Sequence, residues 1–129
     1  MSAESPHLGS GLAMKRRLQS QEKALLKKML GSTGDQETRF LEKLDSILVQ
    51  EMDDGGMGSL RFIDQDQEAR NLGDTIAEVE FLDEDGVLVT AVLNLDQQGE
   101  LYELDVWKVD FSPLRSWPDI GQITIKNSS

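Results

Sequence analysis

The chain has 129 residues, enough for one domain, with no cysteine, a single histidine at position 7 and a formal net charge of −11. Disulfide scaffolds, thiol chemistry and Ser-His-Asp arrangements on the folded body are thereby excluded. Residues 1–32 carry a net +4 and residues 33–129 a net −15, so the body repels phosphate backbones and suits a basic protein partner.

Residues 1–13 combine Ser, Gly and Pro without periodicity and read as a disordered tail, with Met14 as a candidate natural start. The tail lacks a signal's apolar core, and no apolar run approaches the ~20 residues of a membrane span. The expectation is a single domain over residues 14–129, cytoplasmic, binding neither membrane nor nucleic acid. A first helix is expected over residues 20–30. Ser20 is its cap, Leu25, Leu26, Met29 and Leu30 form its apolar stripe, and Gly31 is its stop. In a second helix Phe40, Leu41, Leu44, Ile47 and Leu48 recur on one face. Asp35 caps it, and Asp53-Asp54-Gly55-Gly56 ends it.

The remainder reads as β structure. Leu60–Ile63 is a short strand and residues 64–73 a polar loop. Residues 75–82, 87–95 and 100–111 form a meander separated by Asp83-Glu84-Asp85-Gly86 and Asp96-Gln97-Gln98-Gly99, each opening on Asp and ending on Gly. Ile120–Ile125 closes the chain as an edge segment. The fold class is therefore α+β: two N-terminal helices packed on one face of an antiparallel meander of about four strands.

Alternation sorts the meander into two faces. Ala77, Val79 and Phe81 join Val89, Ala91 and Leu93 on one side. A three-residue first loop sets Val79 opposite Ala91 and Phe81 opposite Val89. For the second hairpin, burial favours a four-residue loop placing Leu93 beside Tyr102 and Ala91 beside Leu104. With the helices on the apolar face, the opposite face carries Glu78, Glu80, Glu103 and Asp105 around Leu88, Val92 and Trp107. An apolar centre with an acidic rim suits an interface, while exposed Glu on a strand is equally ordinary solvent surface.

Enzyme chemistry finds little support. Glu103 and Asp105 could serve as acid and base, but adjacent carboxylates on an open sheet lack a cleft, and the protein is expected not to be an enzyme. The stretch Asp54-Gly55-Gly56-Met57-Gly58-Ser59 lacks the Gly-Lys-Ser/Thr ending of a phosphate loop and faces two aspartates. Asp64-Gln65-Asp66-Gln67-Glu68 begins like a calcium loop, but Ala69 and Thr75 occupy its glycine and closing-glutamate positions. No metal or cofactor is expected.

The segments EMDDGGMGSLRF (51–62), AEVEFLDEDG (77–86) and ELDVWKVDFSPL (103–114) resemble a small bacterial family known only as a domain of unknown function, over roughly residues 14–118. Such families are similar in size and acidity to immunity proteins of toxin systems. The resemblance brings no catalytic residues. It directs attention to Met57, Arg61, Asp105, Trp107, Lys108 and Asp110 as a shared surface; the plainer alternative is that Asp110 shapes a turn and Lys108 pairs with a carboxylate. The functional expectation is a non-catalytic acidic binding module, in concrete form an immunity-like inhibitor of a basic toxin. The alternatives are a homodimeric structural domain and a carboxylate enzyme.

Overall fold

A computed structural model describes residues 14–34, 38–63 and 70–126. In chain order these form strand β1 (Arg16–Arg17), helix α1 (Ser20–Gly31), a 3-10 helix (Thr38–Asp45), β2 (Leu48–Glu51), β3 (Leu60–Ile63), β4 (Leu72–Leu82), β5 (Leu88–Asp96), β6 (Leu101–Lys108), a 3-10 turn (Ile120–Gln122) and β7 (Thr124–Ile125). The expected tail, the Asp35 cap and the Asp64–Glu68 stretch lie outside the described residues.

All seven strands join one antiparallel sheet in the order β1-β2-β3-β6-β5-β4-β7. The expected two helices on a four-stranded meander is therefore wrong: the described residues are mainly β, with one α-helix and a short 3-10 helix. The error lies at residues 40–49. Helical phase puts Leu48 in the core and leaves Val49 outside, but Leu48 is 40% exposed and Val49 is 0% exposed. Phe40 and Leu44 are buried from the short 3-10 helix. The run Ile47-Leu48-Val49 then leaves helical geometry, and β2 pairs with β3, Val49 opposite Phe62. β-Branched residues on a half-buried pleat outweigh an apolar spacing that matched a helix over only nine residues.

The first helix lies where expected, with small differences at its ends. Gln19 rather than Ser20 is the cap residue, and its N–H donates to Glu22 Oε1 (2.9 Å). Gly31 is still helical, and the left-handed glycine is Gly34, φ +76°. Leu25, Leu26, Met29 and Leu30 are buried in one core with Phe40, Leu44 and the inward set Val79, Ala91 and Leu104. Helix and 3-10 helix therefore cover one face of the sheet, and the opposite face carries no helix among the described residues.

The two hairpin turns are alike. Gly86 N–H donates to Asp83 O (2.8 Å) and Asp83 N–H to Val87 O (2.9 Å); Gly99 N–H donates to Asp96 O (3.0 Å) and Asp96 N–H to Glu100 O (2.8 Å). Both glycines are left-handed, φ +80° and +83°, as a three-residue loop closing on a bulge requires. The first register is as expected, with Val79↔Ala91 and Phe81↔Val89. The second differs: Leu93 faces Leu104 and Ala91 faces Val106. A loop pairing Asp96 with Glu100, continued without interruption, would set Glu103 opposite Leu93 and turn its carboxylate inward. The shift between Asn94↔Glu103 and Leu95↔Leu101 leaves Tyr102 as an extra residue. This bulge restores burial without changing the turn. The Tyr102 ring lies beneath the guanidinium carbons of Arg61 (4.5 Å) and Arg70 (5.2 Å).

Candidate functional site: the outer face of the sheet

Register sorts the helix-free face into rows. Glu78, Val92 and Asp105 form one row; Glu80, Thr90 and Trp107 form the next. Asn94 and Glu103 lie in a third row, which Arg61 of β3 extends. The acidic residues expected on one surface are thus brought together. Trp107 is half-buried and stands outside the hydrophobic core, whereas Trp117 packs against that core.

The expected picture of an apolar centre inside an acidic rim needs correcting. Leu88 is not central. It pairs with Leu82, and Val109 donates its N–H to Leu88 O (3.0 Å), continuing the register. Leu82, Leu88 and Val109 therefore form an apolar row at one end of the face, followed by Trp107 and then by the carboxylates. Leu82 is 60% exposed and Val109 51%. Sequence reasoning missed Leu82 and Val109 although both lie within the expected strands 75–82 and 100–111; carrying the alternation to the ends of those strands would have found both.

The carboxylates differ in their surroundings. Arg61 Nη2 lies 3.3 Å from Glu103 Oε1, and Asn94 Nδ2 donates to Glu103 Oε2 (3.3 Å). Lys126 Nζ lies 3.8 Å from Glu80 Oε1. Asp105 has no ion pair among the described residues. Burial raises its carboxyl above the usual range, and the negative charges of Glu103 and Asp54 raise it further, against a long hydrogen bond from Ser59 Oγ (3.5 Å). A cation arriving here meets a carboxylate whose charge is poorly compensated.

The six residues singled out by resemblance divide. Arg61, Asp105 and Trp107 share the outer face. Lys108 points inward and is fully buried. Its Nζ donates to Asp83 Oδ2 (2.8 Å), Asp85 Oδ2 (2.6 Å) and Pro113 O (3.3 Å). Burial pushes the Asp83 carboxyl up, but donors from Lys108, Arg115, Glu84 and Ser116 outweigh it and hold the group at about 2. This buried cluster ties the chain after β6 to the β4–β5 turn. Asp110 Oδ1 accepts Ser112 N–H (3.0 Å) and Oγ–H (2.6 Å), so it shapes a turn.

Met57 and Ser59 belong to the sheet edge. Beyond Leu104, β6 has no strand on its β3 side among the described residues. Ser59 Oγ accepts Val106 N–H (2.8 Å) and donates to Val106 O (3.0 Å), while Met57 Sδ accepts Lys108 N–H (3.3 Å). Side chains of the glycine-rich loop thus take the place of a strand. That loop joins two strands rather than ending a helix. Asp54 Oδ1 accepts the N–H groups of Gly56 and Met57 (both 3.1 Å), and its Oδ2 accepts that of Ser59 (2.9 Å). The anion position of a phosphate cradle is taken by the chain's own carboxylate.

A cleft of about 310 Å³ lies beside this loop, between Arg16, Glu51, Asp53 and Trp117. Arg16 is held there by Glu22 (2.8 Å) and Glu51 (3.1 Å). Glu103 and Asp105 do not line it. Among the described residues no helix is long and apolar enough to cross a membrane, and no group of three His, Cys, Asp or Glu is placed to hold a metal ion.

A family model described as a domain of unknown function (DUF6984) matches residues 15–118, and the chain belongs to that family. No curated protein and no solved structure matches it.

Proposed function

We propose that this family member is a non-catalytic binding module whose outer sheet face receives a basic protein. In concrete form it is an immunity-like inhibitor that covers the cationic surface of a toxin. The observation that supports this most is the row register, which gathers Glu78, Glu80, Glu103 and Asp105 beside Trp107 on a face the helices leave open. Asp105 is the strongest acceptor in this reading, because it is partly buried without an ion partner among the described residues. An aromatic flanked by desolvated charge is the usual composition of an interface anchor.

The alternative, a homodimer through the same face, is disfavoured by charge. A two-fold axis sets an identical patch against itself, so Glu78, Glu80 and Asp105 would meet their own copies. The test is capture of partners from lysate of the cells that produce the chain, with Glu78→Lys/Asp105→Lys as control. A basic protein retained at about 50 mM salt, weakened at about 500 mM and lost by the control supports the reading. Equal retention by both forms, or a dimer in sedimentation that Trp107→Ala dissolves, overturns it.

A further inference from the structure

Three turns among the described residues share a left-handed fourth residue whose N–H donates to the carbonyl of the first. They run from Asp83 to Gly86, from Asp96 to Gly99 and from Lys108 to Phe111. Two use glycine, while the third uses Phe111, φ +62°. A bulky residue is an outlier in that region and carries a backbone cost that glycine avoids. Phe111 recovers little by packing, since it is 75% exposed. It lies two residues beyond Val109, which closes the apolar row Leu82–Leu88–Val109. A strained backbone that displays a large apolar side chain two residues from the end of an exposed apolar row points to use rather than to stability.

We infer that Leu82, Leu88, Val109 and Phe111 form the apolar anchor of the docking face, and that its occupant is a basic amphipathic protein segment. The inference rests on the acidic-docking reading and adds the order of groups the partner must carry. Residues two apart on a strand lie about 6.8 Å apart. The Glu80–Trp107 row is therefore about 7 Å from the anchor, and the Glu78–Asp105 row about 14 Å. Apolar groups on the partner must be followed by cations at about those distances, which roughly 1.3 and 2.5 further turns of a helix supply. The acidic rows also decide between occupants. An anionic lipid surface seated on the anchor would face Glu78, Glu80 and Asp105, whereas a basic segment is attracted by them.

The experiment uses the full chain and two labelled 16-residue peptides of leucine and lysine. One has the leucines at helical spacing, and the other is a scrambled isomer of the same charge. Binding is followed by anisotropy. The amphipathic peptide should bind about tenfold tighter than the scrambled one, a factor that burial of roughly 60 Å² of apolar surface supplies. Leu82→Ser/Phe111→Gly should abolish that preference while leaving the scrambled peptide's affinity unchanged within about twofold; both residues are exposed and Gly suits φ +62°, so a normal melting curve is expected. Equal binding of both peptides by the natural chain overturns the anchor and leaves acidic docking standing. Loss of both in Glu78→Lys/Asp105→Lys alone supports the electrostatic half. No binding of either peptide to the natural chain overturns both readings.

Discussion

Ser59 offers the sharpest test of how the docking face is held. Its hydroxyl accepts Val106 N–H at 2.8 Å and donates to Val106 O at 3.0 Å, and the residue is buried. Ser59→Ala removes both partners at once and creates almost no cavity. Each buried backbone group left without a partner costs about 1–3 kcal/mol. Ser59 also lines the 310 Å³ cleft, and a water entering from that side would restore part of the loss. The expected destabilisation is therefore about 2–4 kcal/mol, a large fraction of the ~5–15 kcal/mol that holds a domain together. Urea denaturation followed by circular dichroism gives the total, and amide exchange gives the location: the Val106 N–H should lose protection first, and Lys108 N–H beside Met57 next. Ser59→Thr, which keeps the hydroxyl, should lose less. A Ser59→Ala variant that loses under about 0.5 kcal/mol with Val106 still protected would show that the glycine-rich loop does not close this edge.

Gly73→Ala places a Cβ 2.3 Å from Asp96 O and 2.6 Å from Asp96 C; both are backbone atoms, so β4 and β5 must part, and a loss of about 2–3 kcal/mol is expected in denaturant. Val49→Ala should cost about 2–3 kcal/mol while Leu48→Ala costs under about 0.5 kcal/mol, and the reverse order in urea melts would restore a helix there. Asp105 has its folded pKa raised, chiefly by burial and Glu103, so the folded state holds its proton more tightly and loses stability as pH rises from the unfolded value through the folded one. Asp105→Asn should therefore raise the melting temperature at pH 7 but not at pH 3, and should weaken binding of lysine-rich peptides; no gain at pH 7 would count against its charge being poorly compensated.

Much of the sheet is legible in the chain because turn chemistry and burial agree there. At Asp83–Gly86 the turn and the pleat both set Val79 opposite Ala91, and one register satisfies them. At Asp96–Gly99 they conflict by one residue, and only the bulge at Tyr102 reconciles them. No local signal announces a bulge made by tyrosine, whose support comes from Arg61 and Arg70 elsewhere in the chain. Residues 40–49 read as one helix for a related reason: Phe40 and Leu44 do pack from a helical turn, Leu48 continues their spacing, and only the pairing of Val49 with Phe62 shows where the helix gives way to a strand. The candidate site was legible as a set of residues, since strand parity alone puts Glu78, Glu80, Glu103, Asp105 and Trp107 on one side. Its geography was not. Placing Leu88 at the end of the face rather than its centre needs both registers and the continuation of β6 through Val109.

The way polar groups are satisfied elsewhere narrows where function can reside. Asp54 fills the N–H cradle of the glycine-rich loop, Ser59 and Met57 serve the edge of β6, and Lys108 is neutralised by Asp83 and Asp85 under Pro113. Arg70 is likewise consumed internally, by Asp96 (2.9 Å), by Phe62 O (2.9 Å) and by Leu101 O. These groups carry the motifs that look most like chemistry in the sequence, and each is already occupied by the chain itself. The outer face is the exception. There Asp105 is left partly buried without a cation among the described residues, and Leu82 and Val109 stand open; two residues beyond Val109, Phe111 holds a conformation that glycine would adopt with less strain. Local choices that run against stability collect at sites of function, and on this molecule they run along the outer face of the sheet from Leu82 and Val109 to Asp105.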